Sequence, residues 1–522
     1  MAFINIIMGL VAAVLVVTGI KKDTPDPSAE KTPSVEVGVI KPKIDRSFDF
    51  EKMKKKLPKL AEKPFKKQDK KTNKFLAELN YDKYSHIRFL PEKTFWRDEG
   101  STFQLQFMHP GYLYDGNLTL HQIIDGKVSH IFYNKDYFDF SQLELTEELP
   151  PNLGYSGFKI HYPINTDEFT DEFAVFQGAS YFRIVSKGQI YGLSNRGISI
   201  NTGLSSVKEE FPEFREFWIE KPSTNSKSIT VYALLDGESI VGYYKFILSP
   251  SKVTEIEVHA EVALRKPVQK LGIAPLTSMF FYGENSRGKK LSLYPEVHDS
   301  DGLLLQDDNQ VIWRPLENPN KPTTDAFVAS RIKGFGLLQR DREFSSYEDI
   351  DMNYHLRPST WVEPIGEWGS GSVQLYRFPT KQETEDNVTA FWVPDSVPEI
   401  KKPFSFSYKL FFPSEKYISD SLIPVISSRI GDPDEENTMQ VILDFKDQQE
   451  VFNSEKWKLI IETDESTEVI DNPELSVVNE ASKVKGNFKI QWKKNMKSSN
   501  IRAYLVEEDK VISEIWDYTI EL

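Results

Sequence analysis

The 522-residue chain predicts an all-β protein, a large β-sandwich followed by a smaller one. Three observations carry that prediction. Short β-branched and aromatic runs recur from about residue 75 onward, turn residues separate them, and helical periodicity is scarce over several hundred residues. Strands at such short intervals favour a sandwich or barrel over an alternating strand-and-helix chain. With 39% hydrophobic and 13% aromatic residues there is ample material for a core. The absence of cysteine excludes disulfides, thiolate nucleophiles and cysteine-built metal centres.

Along the chain, Ala2 to Ile20 carry no charge, and Lys21 and Lys22 end the run. At about 1.5 Å per residue it approaches the thickness of a bilayer core, so residues 1–22 read as an export signal or a membrane anchor. The run lacks a basic n-region and an obvious A-x-A cleavage site, and the lysines on its C-terminal flank favour retention on the cytoplasmic side. Residues 23–47 mix Pro, Ser and charge without apolar periodicity, which predicts an extended linker. Residues 48–63 predict a short basic amphipathic helix interrupted at Pro58, its lysines forming a solvated face or touching anionic lipid, with the solvated face the commoner case. Residues 21–74 hold 17 basic and 9 acidic side chains, net +8, against 47 and 69 in the remainder, net −22. The acidic bulk argues against a nucleic-acid partner.

ITVYALLD (229–236), IVGYYKFIL (240–248) and VTEIEVHAEVAL (253–264) read as consecutive antiparallel strands. The large domain is assigned to 48–397, because PDSVPEIKKP interrupts the pattern there. Beyond it Phe404, Phe406, Tyr408, Leu410 and Phe412 alternate with polar positions, as do Phe488, Ile490 and Trp492. Period two marks half-buried strands, and residues 403–522 predict a separate immunoglobulin-like sandwich.

No phosphate loop, nucleophile elbow or His-Glu-x-x-His helix occurs, and the eight histidines are scattered. No cofactor and no metal is expected. Two acidic clusters stand out. His298-Asp299-Ser300-Asp301-Gly302 reads either as an Asp-capped turn or as a carboxylate set beside a histidine. Glu383-Thr384-Glu385-Asp386-Asn387 runs into an aromatic strand, as a solvated strand entrance or a second acid. Two separated carboxyl groups with abundant Trp and Tyr suit sugar chemistry, in which one protonated acid releases the leaving oxygen and another group activates water. The polar stretch from Gln339 to Trp361 is either a loop over a cleft or a salt-bridged surface crossover.

FQGASYFRIVSKGQIYGLSNRGISINTG (176–203), PEVHDSDGL (295–303), GFGLLQRDREFSSYEDID (334–351), RPSTWVEPIGEWGSGSVQL (357–375) and ETEDNVTAFW (383–392) resemble the periplasmic glucan biosynthesis family OpgG/OpgD, also called MdoG. The resemblance implies a galactose-mutarotase-like β-sandwich joined to a smaller immunoglobulin-like domain. It implies osmoregulated periplasmic glucan biosynthesis, with inverting hydrolysis or transglycosylation of β-1,2-glucan and a periplasmic location, exported or anchored to the inner membrane. Carried onto this chain, the general acid falls on Asp386 and the general base on Asp299, with Tyr354 in the proton path to the attacking water. Arg357, Trp361, Tyr181, Arg183, Tyr191 and His298 are expected at the glucan-binding surface, with structural packing as the alternative. A non-catalytic module presenting glucan to an inner-membrane glucan synthase is the competing reading.

Overall fold

The computed structural model describes residues 46–69, 71–286, 293–414, 422–431, 436–446, 456–478, 482–494 and 496–521. The expected leader at 1–22, and the expected linker up to residue 45, lie outside them. Arg46–Ser47, the end of that linker, is a strand paired with Lys127 and Val128. Among the described residues no helix is long and apolar enough to cross a membrane.

The architecture is all-β, built on two facing sheets. Across the larger sheet the central strands run Thr119–Ile124, Glu213–Glu220, Ile229–Asp236, Ile240–Ser249, Thr254–Leu264, Phe404–Phe412, Thr360–Ile365, Ile332–Leu338, Gly302–Asp307 and Val311–Pro315. The facing sheet runs Thr323–Ala329, Gly371–Arg377, Val388–Pro394, Leu271–Ser278, Ser194–Arg196, Tyr181–Ile184, Asp171–Gln177, Gly157–Tyr162 and Gln104–Met108. Side chains alternate across each strand, so Ile229, Val231, Ala233 and Leu235 enter the core between the sheets while Thr230, Tyr232 and Leu234 face outward. Phe176, Phe182, Phe214, Phe217, Tyr244 and Phe246 interlock there, mostly edge to face.

The opposite face of Ile240–Ser249 is also covered. Two short helices, Phe50–Lys54 and Leu57–Ala61, lay Leu57 and Ala61 on Val241, Tyr243 and Ala263. Asp49 caps the first by accepting from the Lys52 amide at 2.9 Å. Pro58 lies in the first turn of the second, where its missing N–H is harmless, so it starts a helix rather than breaking one.

The strand Phe404–Phe412 departs from the expected boundary. It pairs with Thr254–Leu264 on one side (Ile256 opposite Leu410) and with Thr360–Ile365 on the other (Val362 opposite Leu410). Its period-two pattern describes a strand of the large sandwich, not the start of a separate domain. The C-terminal part stacks Val425–Gly431, Thr438–Lys446 and Lys483–Trp492 over Trp457–Thr463, Ser498–Glu507 and Ile515–Glu521, enclosing a second core around Leu443, Phe488, Leu505 and Trp516. Ile515–Glu521 also joins the large sheet, through Ile312 opposite Ile515 and Trp313 opposite Trp516. Arg314 at that seam pairs with Asp517 and Asp325, each at 3.1 Å.

Candidate active site

The site forms where loops from both halves of the sandwich meet. The first is the turn after the short strand Val297–His298. Asp299 donates its amide to the Met279 carbonyl at 2.9 Å, and the Ser300 and Ser278 hydroxyls lie 2.8 Å apart. The two acids of this turn have different roles. Asp301 caps the backbone, accepting from the amides of Arg340 and Asp341, whereas Asp299 accepts from Arg357 Nη1 at 2.7 Å. Asp299 and Arg357 are both buried, so the pair is shielded from water.

The polar stretch 339–359 supplies the second loop, tied to itself and packed beneath. Arg342 donates to the carbonyls of His355 and Arg357 and to the Ser359 hydroxyl. Tyr347 and Tyr354 are fully buried on its inner side against Met279 and Val297. Asn353, in the left-handed region at φ 47°, turns the chain into the 3-10 turn Tyr354–Leu356. The Arg357 guanidinium lies 4.7 Å from the centre of the Tyr354 ring, and its Nη2 donates to the Met352 carbonyl. The Tyr354 hydroxyl donates to Glu383 Oε2 at 2.9 Å.

Glu383 belongs to the third loop, residues 378–387, which connects Gly371–Arg377 to Val388–Pro394. Asn387, fully buried, locks it by accepting from the Phe280 amide at 2.9 Å and donating to the Phe378 carbonyl at 3.1 Å. That lock holds the preceding residue, Asp386, over a small pocket lined also by Lys159, Glu172, Arg183, Tyr191 and Arg357. Asp386 lines a second, larger space as well: a groove of about 1520 Å³ walled by Tyr181, Arg196, Tyr376, Phe378, Phe211 and Phe65. It exceeds the roughly 300–1,000 Å³ of ordinary small-molecule pockets, and its aromatic walls suit sugar faces.

The electrostatics separate the carboxyl groups. Burial pushes Asp386 up to about 6, helped by the nearby Asp299 charge and opposed by Arg183 and Arg357. Burial also raises Asp299, but Arg357, His298 and Arg183 pull it back. Burial chiefly raises the Tyr354 phenol, and the Asp299 charge adds to it. A carboxyl near 6 alternates between acid and carboxylate close to neutral pH, whereas the guanidinium at 2.7 Å from Asp299 opposes the burial that raises that group.

The structure therefore brings Asp386, Arg183, Tyr191 and Arg357 to one small pocket and Asp386 and Tyr181 to the groove, with Asp299 and Tyr354 buried against Arg357. Two expected residues are elsewhere. Trp361 is 2% exposed and packs in the second core with Trp313 and Val425, its indole N–H donating to Glu363. His298 is fully buried, with Nδ1 at 2.9 Å from Gln339 and Nε2 at 2.8 Å from Glu296. Its neighbours Asp301 and Glu296 raise it to about 10 against burial, so it is an imidazolium. It sits beside Glu284, Glu296, Asp301 and Asp341, whose carboxylates lie within 4.8 Å of one another. The protonated ring supplies positive charge among these acids.

Glu383, Arg196 and, Tyr181 apart, the aromatic groove walls were not among the expected site residues. Glu383 stands in the same acidic cluster as Asp386, and only its contact with Tyr354 distinguishes it. Gly192 is a further hidden requirement, since a Cβ there would lie 2.8 Å from Cδ and 2.9 Å from Cβ of Arg357. Gly192→Ala is expected to displace Arg357 from Asp299 and lower activity by about tenfold or more, with a small change in Tm. Steady-state assay beside thermal melting checks this.

Residues 48–520 match the family model described as periplasmic glucan biosynthesis protein, MdoG. The chain is 44% identical over 397 residues to a glucans biosynthesis protein G of Ralstonia nicotianae, covering 74% of this chain and 79% of that one. It is 40% identical over 462 residues to one from Pseudomonas paraeruginosa, covering 85% and 87%. A relative of the same name from Bradyrhizobium diazoefficiens is 38% identical over 463 residues, covering 88% and 90%. With a family model spanning both sandwiches and relatives aligned over most of their length, the chain belongs to the MdoG family of periplasmic glucan biosynthesis proteins.

Proposed function

We propose that this protein acts on β-1,2-glucan as an inverting glycoside hydrolase or transglycosylase, within the periplasmic glucan biosynthesis role that its family supports. One observation carries the reading. A carboxyl group pushed up to about 6, Asp386, shares a pocket with Arg357, whose guanidinium is bound at 2.7 Å to a second carboxyl group, Asp299. This is the acid and base pairing that glycosidic cleavage needs.

In this reading Asp386 delivers its proton to the bridging oxygen as the C–O bond to the anomeric carbon breaks. Water, or a hydroxyl of a second sugar chain, attacks that carbon from the opposite face and loses its proton toward Asp299. Tyr354 offers a second route, since its hydroxyl donates to Glu383 and its ring lies 4.7 Å from the Arg357 guanidinium that binds Asp299. By that route Tyr354 accepts the proton from the attacking oxygen as it releases its own to Glu383, the carboxylate its hydroxyl already meets. Arg183 and Arg357 limit how far Asp386 rises, which keeps it a strong enough acid to release its proton to the leaving oxygen. The groove aromatics would stack on sugar rings to either side.

Linear β-1,2-glucan incubated with the protein tests this directly. Hydrolysis should give shorter chains whose new reducing ends appear first as the α anomer by proton NMR. Transglycosylation should redistribute lengths or form rings without new reducing ends. Glucan that binds but stays unchanged at every protein concentration would make the chain a presenting module, handing polymer to or from a membrane synthase.

A further inference from the structure

We propose that the lysine-rich strap at residues 50–67 is a docking surface for an anionic phospholipid bilayer. The inference is independent of the glucan reading. Residues 46–74 hold 12 basic and 4 acidic side chains, net +8, while residues 21–45 hold five of each. The excess charge thus lies entirely in the part of the N-terminal region that is built onto the sandwich.

The fold decides which way those charges face. The apolar side of both short helices is used up on the outer sheet surface, through Leu57, Ala61 and the Phe50 ring, which lies 4.8 Å from Tyr232. Lys52, Lys55, Lys56, Lys59 and Lys63 are left exposed, and among the described residues none of them forms an ion pair. Downstream, Arg265 donates to the Lys63 carbonyl and Arg215 to the Lys66 carbonyl, with the Arg215 guanidinium 4.6 Å from the Phe65 ring centre. The lysines therefore stand on a fixed face. Lipid is the occupant favoured by what precedes them, since the chain enters this face at Arg46 and the uncharged run Ala2 to Ile20 lies only 25 residues upstream. Fully extended, 25 residues reach at most about 90 Å. A bilayer holding that run would attract the strap and repel the remaining chain at net −22, which orients the molecule. Phe65 and Lys67 also line the large groove, so docking sets its rim beside the lipid.

The test uses the full-length protein in vesicles of phosphatidylcholine alone or with about 30% phosphatidylglycerol, probed with an amine-reactive reagent and read by mass spectrometry. In anionic vesicles acylation of Lys52, Lys55, Lys56 and Lys59 should slow about threefold or more relative to Lys321, and about 0.5 M salt should restore it. Lys321 is 65% exposed and serves as the internal reference. In the variant carrying Lys52→Gln, Lys55→Gln, Lys56→Gln and Lys59→Gln, protection of Lys63 and Lys66 should disappear. Equal labelling in both vesicle types overturns the proposal. So does protection that persists in neutral lipid or in detergent, which would indicate contact through the leader or between protein copies.

Discussion

Asp386→Asn should lower glucan cleavage by about 10²–10⁴-fold, the range typical for removing a general acid, while leaving glucan binding intact. The amide keeps the shape of the side chain and cannot deliver the proton. In the wild type, activity should fall as pH rises through about 6, where Asp386 loses that proton, and this limb should be missing from the variant's residual rate. Stability should move the other way. The Asp386 pKa is raised from 3.8 to about 6 on folding, so the folded protein binds more protons than the unfolded chain between these values. Its contribution therefore declines as pH rises from about 4 to 6, and above 6 a fixed penalty remains. Asn carries no such penalty. The variant should be more stable than wild type by about 1–3 kcal/mol at pH 7.5, the lower part of the range allowing for the partial exposure of Asp386, and equal to it near pH 4. Denaturant melts at both pH values check the sign. An inactive variant that is also less stable at pH 7.5 would mean that Asp386 serves packing.

His298→Gln should cost about 3–5 kcal/mol at neutral pH, the range for stripping one partner from a buried charge cluster. The imidazolium lies between Glu296 and Asp301, with Glu284 and Asp341 close by. Burial and the neighbouring carboxylates already push Glu284 up to about 7 and Asp341 well above its ordinary value. Removing this buried cation raises both further. The His298 pKa rises from 6.5 to about 10 on folding, so its stabilisation is complete below 6.5 and disappears as pH rises through 10. The wild type should thus lose stability between pH 8 and 10 more steeply than the variant. Parallel slopes in urea titrations at these pH values would show that His298 is neutral in the folded state.

The sequence made the all-β architecture legible because alternation is local: Ile229, Val231, Ala233 and Leu235 declare a strand without reference to any partner. Sheet membership is not local. Phe404–Phe412 has the same alternation, but its neighbours are Thr254–Leu264 and Thr360–Ile365, which no periodicity can name. The acids of the candidate site stood out as clusters beside aromatic strands, and the family resemblance separated Asp299 from Asp301 and Asp386 from Glu385. Residue type alone did not say which way a side chain points. Trp361 and His298 carry groups that suit sugar binding, yet their strands turn one into the second core and the other toward Glu296 and Gln339. Glu383 had the opposite fate, since its contact with Tyr354 joins two loops far apart in the chain.

The position of Phe404–Phe412 in the middle of the large sheet governs when the molecule can acquire its shape. A nascent chain that has emerged only as far as residue 397 holds all three loops of the candidate site but has a gap between two central strands, with both ladders open to any passing β-segment. Productive folding must wait for that late strand. Fragments ending before Phe404 should therefore come out of expression as aggregates, whereas breaks in the loops downstream of Phe412 leave that central strand in place.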